Sequence, residues 1–94
     1  MVEIEWSTTA QNDLNDIIDY IAQDSLEFAL SFYDQVKEKL ENLTEFPNMG
    51  RKVPELDDPN IRELIFRNYR LIYRIMGDKI QIVRVFHGSR ILEF

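Results

Sequence analysis

The chain opens on an alternation, with Val2, Ile4 and Trp6 apolar and Glu3 and Glu5 charged. A period of two predicts a short strand with one apolar face. The period then lengthens. Ala10, Leu14, Ile17, Ile18 and Ile21 recur at helical spacing, and Asn12, Asp13, Asn15, Asp16 and Asp19 fill the opposite side. This predicts an amphipathic helix over about residues 8–23. Thr8 stands three residues before Gln11, the spacing of a capping box. Asp24 and Glu27 repeat that spacing and start a second helix near Leu26, with Ala29, Phe32, Val36, Leu40 and Leu43 as its apolar stripe. Pro47 ends it, because proline disfavours a helical conformation in the residue before it. So short a link between the helices favours an antiparallel hairpin whose stripes are core.

Residues 47–60, PNMGRKVPELDDPN, hold all three prolines and read as a loop. Three strand-like runs follow: Ile61–Phe66, Tyr69–Met76 and Lys79–His87. Arg67-Asn68 and Gly77-Asp78 separate them, and each gap suits a two-residue hairpin. Gly77-Asp78 is the better turn, since glycine accepts the positive φ of primed turns. A last short strand is expected at Ile91–Phe94. The predicted fold class is α+β: an N-terminal strand, an antiparallel two-helix hairpin, then a three- to four-stranded antiparallel sheet with the helices on one face. No linker or repeat divides the chain, so residues 1–94 are expected to form a single domain.

The hairpins also predict a register. Pairing Met76 with Lys79 sets Tyr73 opposite Ile82 and Arg70 opposite Val85. Pairing Phe66 with Tyr69 sets Ile65 opposite Arg70 and Glu63 opposite Ile72. Side chains directly opposite share a face. Leu64, Phe66, Tyr69, Leu71, Tyr73, Ile75, Ile80, Ile82 and Phe86 then form the face under the helices, with Arg62 and Arg84 as exceptions. The other face collects Glu63, Arg70, Arg74, Gln81 and His87 among Ile61, Ile65, Ile72, Val83 and Val85. Such a mixture is either an outer face with cross-strand charge pairs, Glu63 with an arginine among them, or a binding surface.

Composition narrows the function. The 45% hydrophobic content is that of a globular chain, and the absence of cysteine excludes disulfides and thiolate metal sites. The start MVEIEW lacks the basic and apolar segments of a signal peptide. No run approaches the roughly 18 apolar residues of a membrane span. A cytoplasmic location without membrane association is the expectation. The net charge of −6 argues against non-specific coating of nucleic acid. That charge is polarised: residues 1–46 hold two lysines against eleven acids, and all seven arginines lie in residues 47–94. Arginine suits bidentate contact with carboxylate or phosphate. One histidine and scattered carboxylates suggest no metal site, and no cofactor is implied.

Four phrases, in order, carry a resemblance: DLNDIIDYIA at 13–22, FPNMGRKVPEL at 46–56, NYRLIYRI at 68–75 and IVRVFHGSRIL at 82–92. Over nearly its whole length the chain resembles RelE/ParE superfamily toxins of type II toxin–antitoxin systems. NYRLIYRI and FHGSR look most like the ParE-like branch. The resemblance implies a toxin neutralised by a cognate antitoxin, as a homodimer or a toxin–antitoxin heterotetramer. Its ParE-like form implies inhibition of DNA gyrase. The RelE-like alternative is an mRNA interferase acting on the ribosome, and a third reading is a degenerate toxin that retains only antitoxin binding.

An RNA-cutting site needs a base for the 2′-hydroxyl, an acid for the leaving oxygen and cations for the charged phosphorane. By resemblance, Arg70 would bind phosphate, His87 would be the acid and Glu55, in the VPEL loop, the base. Arg51, Arg70, Arg74, Arg84 and Arg90 are the candidates for contact with target or antitoxin. The nuclease branch usually carries several lysines and a tyrosine near the C-terminus. Here the last tyrosine is Tyr73 and Lys79 sits at a turn, which favours the ParE-like branch.

Overall fold

The computed structural model describes residues 2–88. Strand β1 (Glu3–Trp6) leads into helix α1 (Thr8–Asp24) and helix α2 (Leu26–Glu45), followed by the short β2 (Arg51–Lys52) and the strands β3 (Ile61–Phe66), β4 (Tyr69–Met76) and β5 (Lys79–His87). The three long strands begin and end where their turn residues predict. The predicted strand at Ile91–Phe94 lies outside the described residues.

Both helices are capped one residue away from the capping-box expectation: at Ser7, one before Thr8, and at Ser25, one after Asp24. The Ser7 hydroxyl accepts from the Ala10 N–H and the Ser25 hydroxyl from the Phe28 N–H. A serine just outside the helix reaches a free amide of the first turn, whereas Thr8 is already helical. Ser25 stands alone between the helices, so the chain reverses there and the hairpin forms.

The sheet has the order β1-β5-β4-β3-β2. The meander β3–β4–β5 is antiparallel, as expected. Strand β1 adds to it in parallel beside β5, with Ile4 opposite Ile80 and Trp6 opposite Ile82. Arg67 and Asn68 both take positive φ, and so does Gly77. This left-handed geometry is what matches a two-residue turn to the strand twist.

The register agrees with the prediction from Met76↔Lys79 to Tyr73↔Ile82 and throughout β3–β4. A bulge then intervenes. Ile72 stands opposite Arg84 and Arg70 opposite Phe86, leaving Val83 as the extra residue of β5. An inserted residue inverts the alternation beyond it. Val85 therefore joins the core under the helices, with Phe32, Val36, Leu43, Leu71, Tyr73, Ile80 and Ile82. Phe86, expected there, lies on the opposite face. His87, expected beside Arg70, stands opposite Tyr69, and the two rings meet edge to face at 5.7 Å. Pairing with β1 ends at Ile82, so β5 from Val83 to His87 is an edge, where bulges concentrate.

That opposite face is not open. The loop after β2 folds back over it, and Val53 and Leu56 pack with Ile61, Ile72, Val83 and Phe86 into a second, smaller core. Tyr73 ties the preceding turn to the sheet: its hydroxyl donates to the Pro47 carbonyl at 2.7 Å and accepts from the Gly50 N–H at 3.0 Å. Gly50 passes so close that an added Cβ would lie 2.6 Å from the Glu63 carbonyl oxygen. Arg62 reaches the same turn, donating to the Gly50 carbonyl at 2.9 Å.

Candidate functional site

The small core places a charged cluster at the end of the sheet. Glu63 on β3 and Arg70 on β4 project from the outer face with one register step between them. Both are buried, at 1% and 6% exposure. The Arg70 guanidinium forms a fork. Its Nε donates to Glu63 Oε2 at 2.7 Å, and its Nη1 and Nη2 donate to the two oxygens of Glu55 at 2.7 and 2.8 Å. Arg51 Nε holds the other Glu63 oxygen at 2.7 Å. The guanidinium lies 5.3 Å from the Phe86 ring centre, over its face, an arrangement the bulge makes available by turning Phe86 outward.

The electrostatics follow from this geometry. Two carboxylates compensate the burial of one guanidinium, and Arg51 adds a second cation on Glu63. The hydrogen bonds to Glu55 raise the Arg70 pKa above the ordinary arginine value. Burial opposes that rise, and Glu63 adds to it. Arg70 therefore keeps its proton and can act only as a fixed cation. Tyr73 is pushed up by burial, with the Gly50 hydrogen bond and the Arg62 charge working against the shift.

A shallow cleft of about 490 Å³ opens beside the cluster, lined by Arg51, Pro54, Glu55, Ile65, Asn68, Arg70, His87 and Gly88. It gathers Arg51, Arg70, Glu55 and His87, four of the residues picked from the sequence. Their state differs from the expected one. Glu55 is the bidentate partner of Arg70, and His87 approaches the cleft from the side of Tyr69. Arg74 is exposed on the outer face, opposite Ile61 and Gln81. Arg84 stays in β5 opposite Ile72, but its side chain turns to α1: its Nε donates to Asp13 at 2.8 Å. Arg90 lies outside the described residues.

Asp13 is a residue that sequence reasoning passed over as one acid on a polar helix face. Its Oδ2 accepts from Arg84 and also from the Val85 backbone N–H at 3.0 Å. Ser7 Oγ reaches the Val83 carbonyl at 3.3 Å. Thus α1 takes up polar groups that the bulge leaves out of the ladder. The sequence carries no local signal for this, because the partners stand about seventy residues apart.

The fold and this cleft can be set beside known proteins. The family model described as the ParE toxin of type II toxin–antitoxin system, parDE, matches residues 4–92. Toxin RelE2 of Caulobacter vibrioides is 32% identical over 92 residues, which span 97% of this chain and 100% of that protein. Toxin RelE1 of the same organism is 28% identical over 86 residues, 87% of this chain and 88% of its own. Among solved structures, a chain of the chromosomal ParDE system from P. aeruginosa superposes with a TM-score of 0.75 at 27% identity, covering 95% of this chain and 98% of that one. A chain of the RelBE2 toxin–antitoxin complex from Mycobacterium tuberculosis gives 0.52 at 27% identity, covering 92% and 96%. On a family match that runs through both helices and every long strand, this chain belongs to the ParE toxin family of type II toxin–antitoxin systems, within the RelE/ParE superfamily.

Proposed function

We propose that this toxin arrests growth by binding and inhibiting DNA gyrase, without cleaving RNA, and that a cognate antitoxin neutralises it. The observation that carries this reading is the state of Arg70. A phosphate-binding arginine must present its fork to the substrate. Here Glu55 and Glu63 occupy that fork, and Arg70 is only 6% exposed. The base candidate Glu55 is spent on the same ion pair. The bulge moves the acid candidate His87 away from the Arg70 face. Two of the three groups that a hydrolytic site would aim at one phosphodiester are thus tied to each other, and His87, though it lines the same cleft, packs edge to face on Tyr69. Inhibition of a protein target needs none of them in reactive form, and it tolerates an acidic toxin. In this reading residues 1–94 act as one toxin domain in the cytoplasm. The solved neighbours, from a ParDE toxin–antitoxin system and a RelBE2 toxin–antitoxin complex, support an antitoxin as the regular partner.

The second reading, a ribosome-dependent mRNA interferase, draws on one observation: Arg51, Glu55, Arg70 and His87 all line a single cleft. The two are separated by adding purified toxin to a gyrase supercoiling reaction and, in parallel, to a translating extract with mRNA ends mapped. Loss of supercoiling with intact mRNA is expected. New mRNA ends that vanish with Arg70→Ala would establish the interferase instead. His87→Ala should leave growth arrest nearly unchanged, and its abolition would point to the acid of a nuclease.

A further inference from the structure

One turn of the sheet is built from costly residues. The β3–β4 connection is Arg67-Asn68, with φ of 49° and 51°. The β4–β5 connection meets the same demand with Gly77, at φ 64°. Glycine takes the left-handed region without penalty, and asparagine is among the residues that tolerate it. A long side chain such as arginine is not. Arg67 is therefore held at a backbone cost, and its neighbours impose the conformation. Phe66 pairs with Tyr69, and both rings pack on Phe32 of α2, at centroid distances of 5.6 and 5.2 Å. The Gly88 N–H donates to the Asn68 carbonyl at 2.6 Å. A turn clamped on both sides is the setting in which such strain persists.

Among the described residues, nothing that Arg67 touches offsets the cost. Its Nη2 donates to the Ser31 hydroxyl at 3.1 Å, an exposed contact that water replaces with little loss. Arg51, Arg70 and Arg84 are paired with carboxylates, and Arg62 donates to the Gly50 carbonyl. Arg67 instead stays exposed at the end of the sheet, two residues after Ile65, which is 52% exposed. Arginine is enriched where proteins meet, and strained backbone concentrates where a molecule grips its ligand. The surroundings select a protein over nucleic acid. Glu27 and Asp34 are exposed on the side of α2 that carries Ser31, four residues before it and three after. They repel an extended polyanion, and a phosphate backbone gains nothing from Ile65. We propose that Arg67 is a target-contact residue: its guanidinium pairs with a surface carboxylate of the protein that this toxin inhibits, with Ile65 as the adjoining apolar contact. The identity of that protein rests on the gyrase reading above; the contact itself does not.

The test sets stability against toxicity in the full chain carrying Arg67→Gly. Glycine relieves the turn, so the urea midpoint should rise by about 0.5 M. Inhibition of supercoiling should weaken about tenfold, the effect of removing an interface anchor, and growth arrest in cells should weaken with it. Arg67→Lys keeps the charge and the strained backbone but loses the planar fork. It should melt with the parent and inhibit at an intermediate concentration. A residue that only shapes the fold cannot give this pattern, because a structural loss lowers stability and activity together. An Arg67→Gly protein with the parent's potency in growth arrest would overturn the proposal, and so would one less stable than the parent. Unchanged growth arrest with lost neutralisation by the antitoxin would assign Arg67 to the antitoxin and overturn it as well. Growth arrest is scored whatever the target is. A parent that arrests growth without inhibiting supercoiling would sink the gyrase reading, while weaker arrest by the more stable Arg67→Gly chain would still uphold the contact.

Discussion

Removing the Arg70 side chain tests the charged cluster most directly. Arg70→Ala strands Glu63, whose side chain is fully buried, with Arg51 as its remaining cation. It also deprives Glu55 of its bidentate partner and uncovers the Phe86 ring. Breaking a buried pair by deleting one member costs about 3–5 kcal/mol. Arg51 still holds one Glu63 oxygen, so the lower end, about 3 kcal/mol, is expected. With a urea slope of about 1.5 kcal/mol per molar, that shifts the midpoint by about 2 M. Urea titrations followed by circular dichroism and by Trp6 fluorescence give the number. The exposed neighbour Arg74 supplies the contrast: Arg74→Ala should stay within about 0.5 kcal/mol of the parent. The double variant Arg70→Met/Glu63→Leu, which removes both charges and fills the space, should recover most of the loss. An Arg70→Ala protein as stable as Arg74→Ala would refute the reasoning, because it would mean that Glu63 reaches water without its partner. Both arginines lie off the main core. The structure separates them, since a second core encloses Arg70.

Tyr73→Phe should cost about 1–2 kcal/mol by leaving the Gly50 N–H and the Pro47 carbonyl without their hydroxyl partner. Burial raises the folded Tyr73 pKa above its ordinary 10.0, so the unfolded chain loses this proton first. Stability must then fall as pH rises past about 10, and the Tyr73→Phe variant should show a shallower fall in alkaline urea titrations. Gly50→Ala should destabilise by about 1–3 kcal/mol, since its Cβ would lie 2.6 Å from the Glu63 carbonyl and 2.7 Å from the Tyr73 hydroxyl; an unchanged melting temperature would contradict that crowding. Asp13→Ala should cost about 1–3 kcal/mol by orphaning the Val85 N–H and Arg84. The chain has no cysteine, so cysteines introduced at 69 and 87 report the bulged register by cross-linking. Cysteines at 69 and 86 would report the regular register, and their cross-linking in the parent would show that the bulge is absent.

Arg70 and Glu63 show how far the sequence could be read at the site. Alternation along β3 and β4 put them on one face, and the Arg67-Asn68 turn put them in register, so a Glu63–arginine pair was legible. Their burial was not. It depends on Val53 and Leu56 folding back from a segment that reads only as loop, and a loop's route is decided by what it lands on. His87 and Phe86 show the other gap. Strict alternation assigns each to the wrong face, because the bulge before them is held by Ser7 and Asp13 from the far end of the chain.

The sequence by itself determined the elements of this protein: two amphipathic helices, a meander whose turns fall at Arg67-Asn68 and Gly77-Asp78, and the α+β arrangement they imply. Hydrophobic period and turn geometry act over a few residues, so they are written locally. Only the tertiary structure decided that β1 joins β5 in parallel, that α1 secures a bulge in β5, and that the arginine best placed for phosphate is instead enclosed between two carboxylates. These depend on contacts between residues far apart in the chain, where the same side chains could satisfy several partners and only the packed whole selects one.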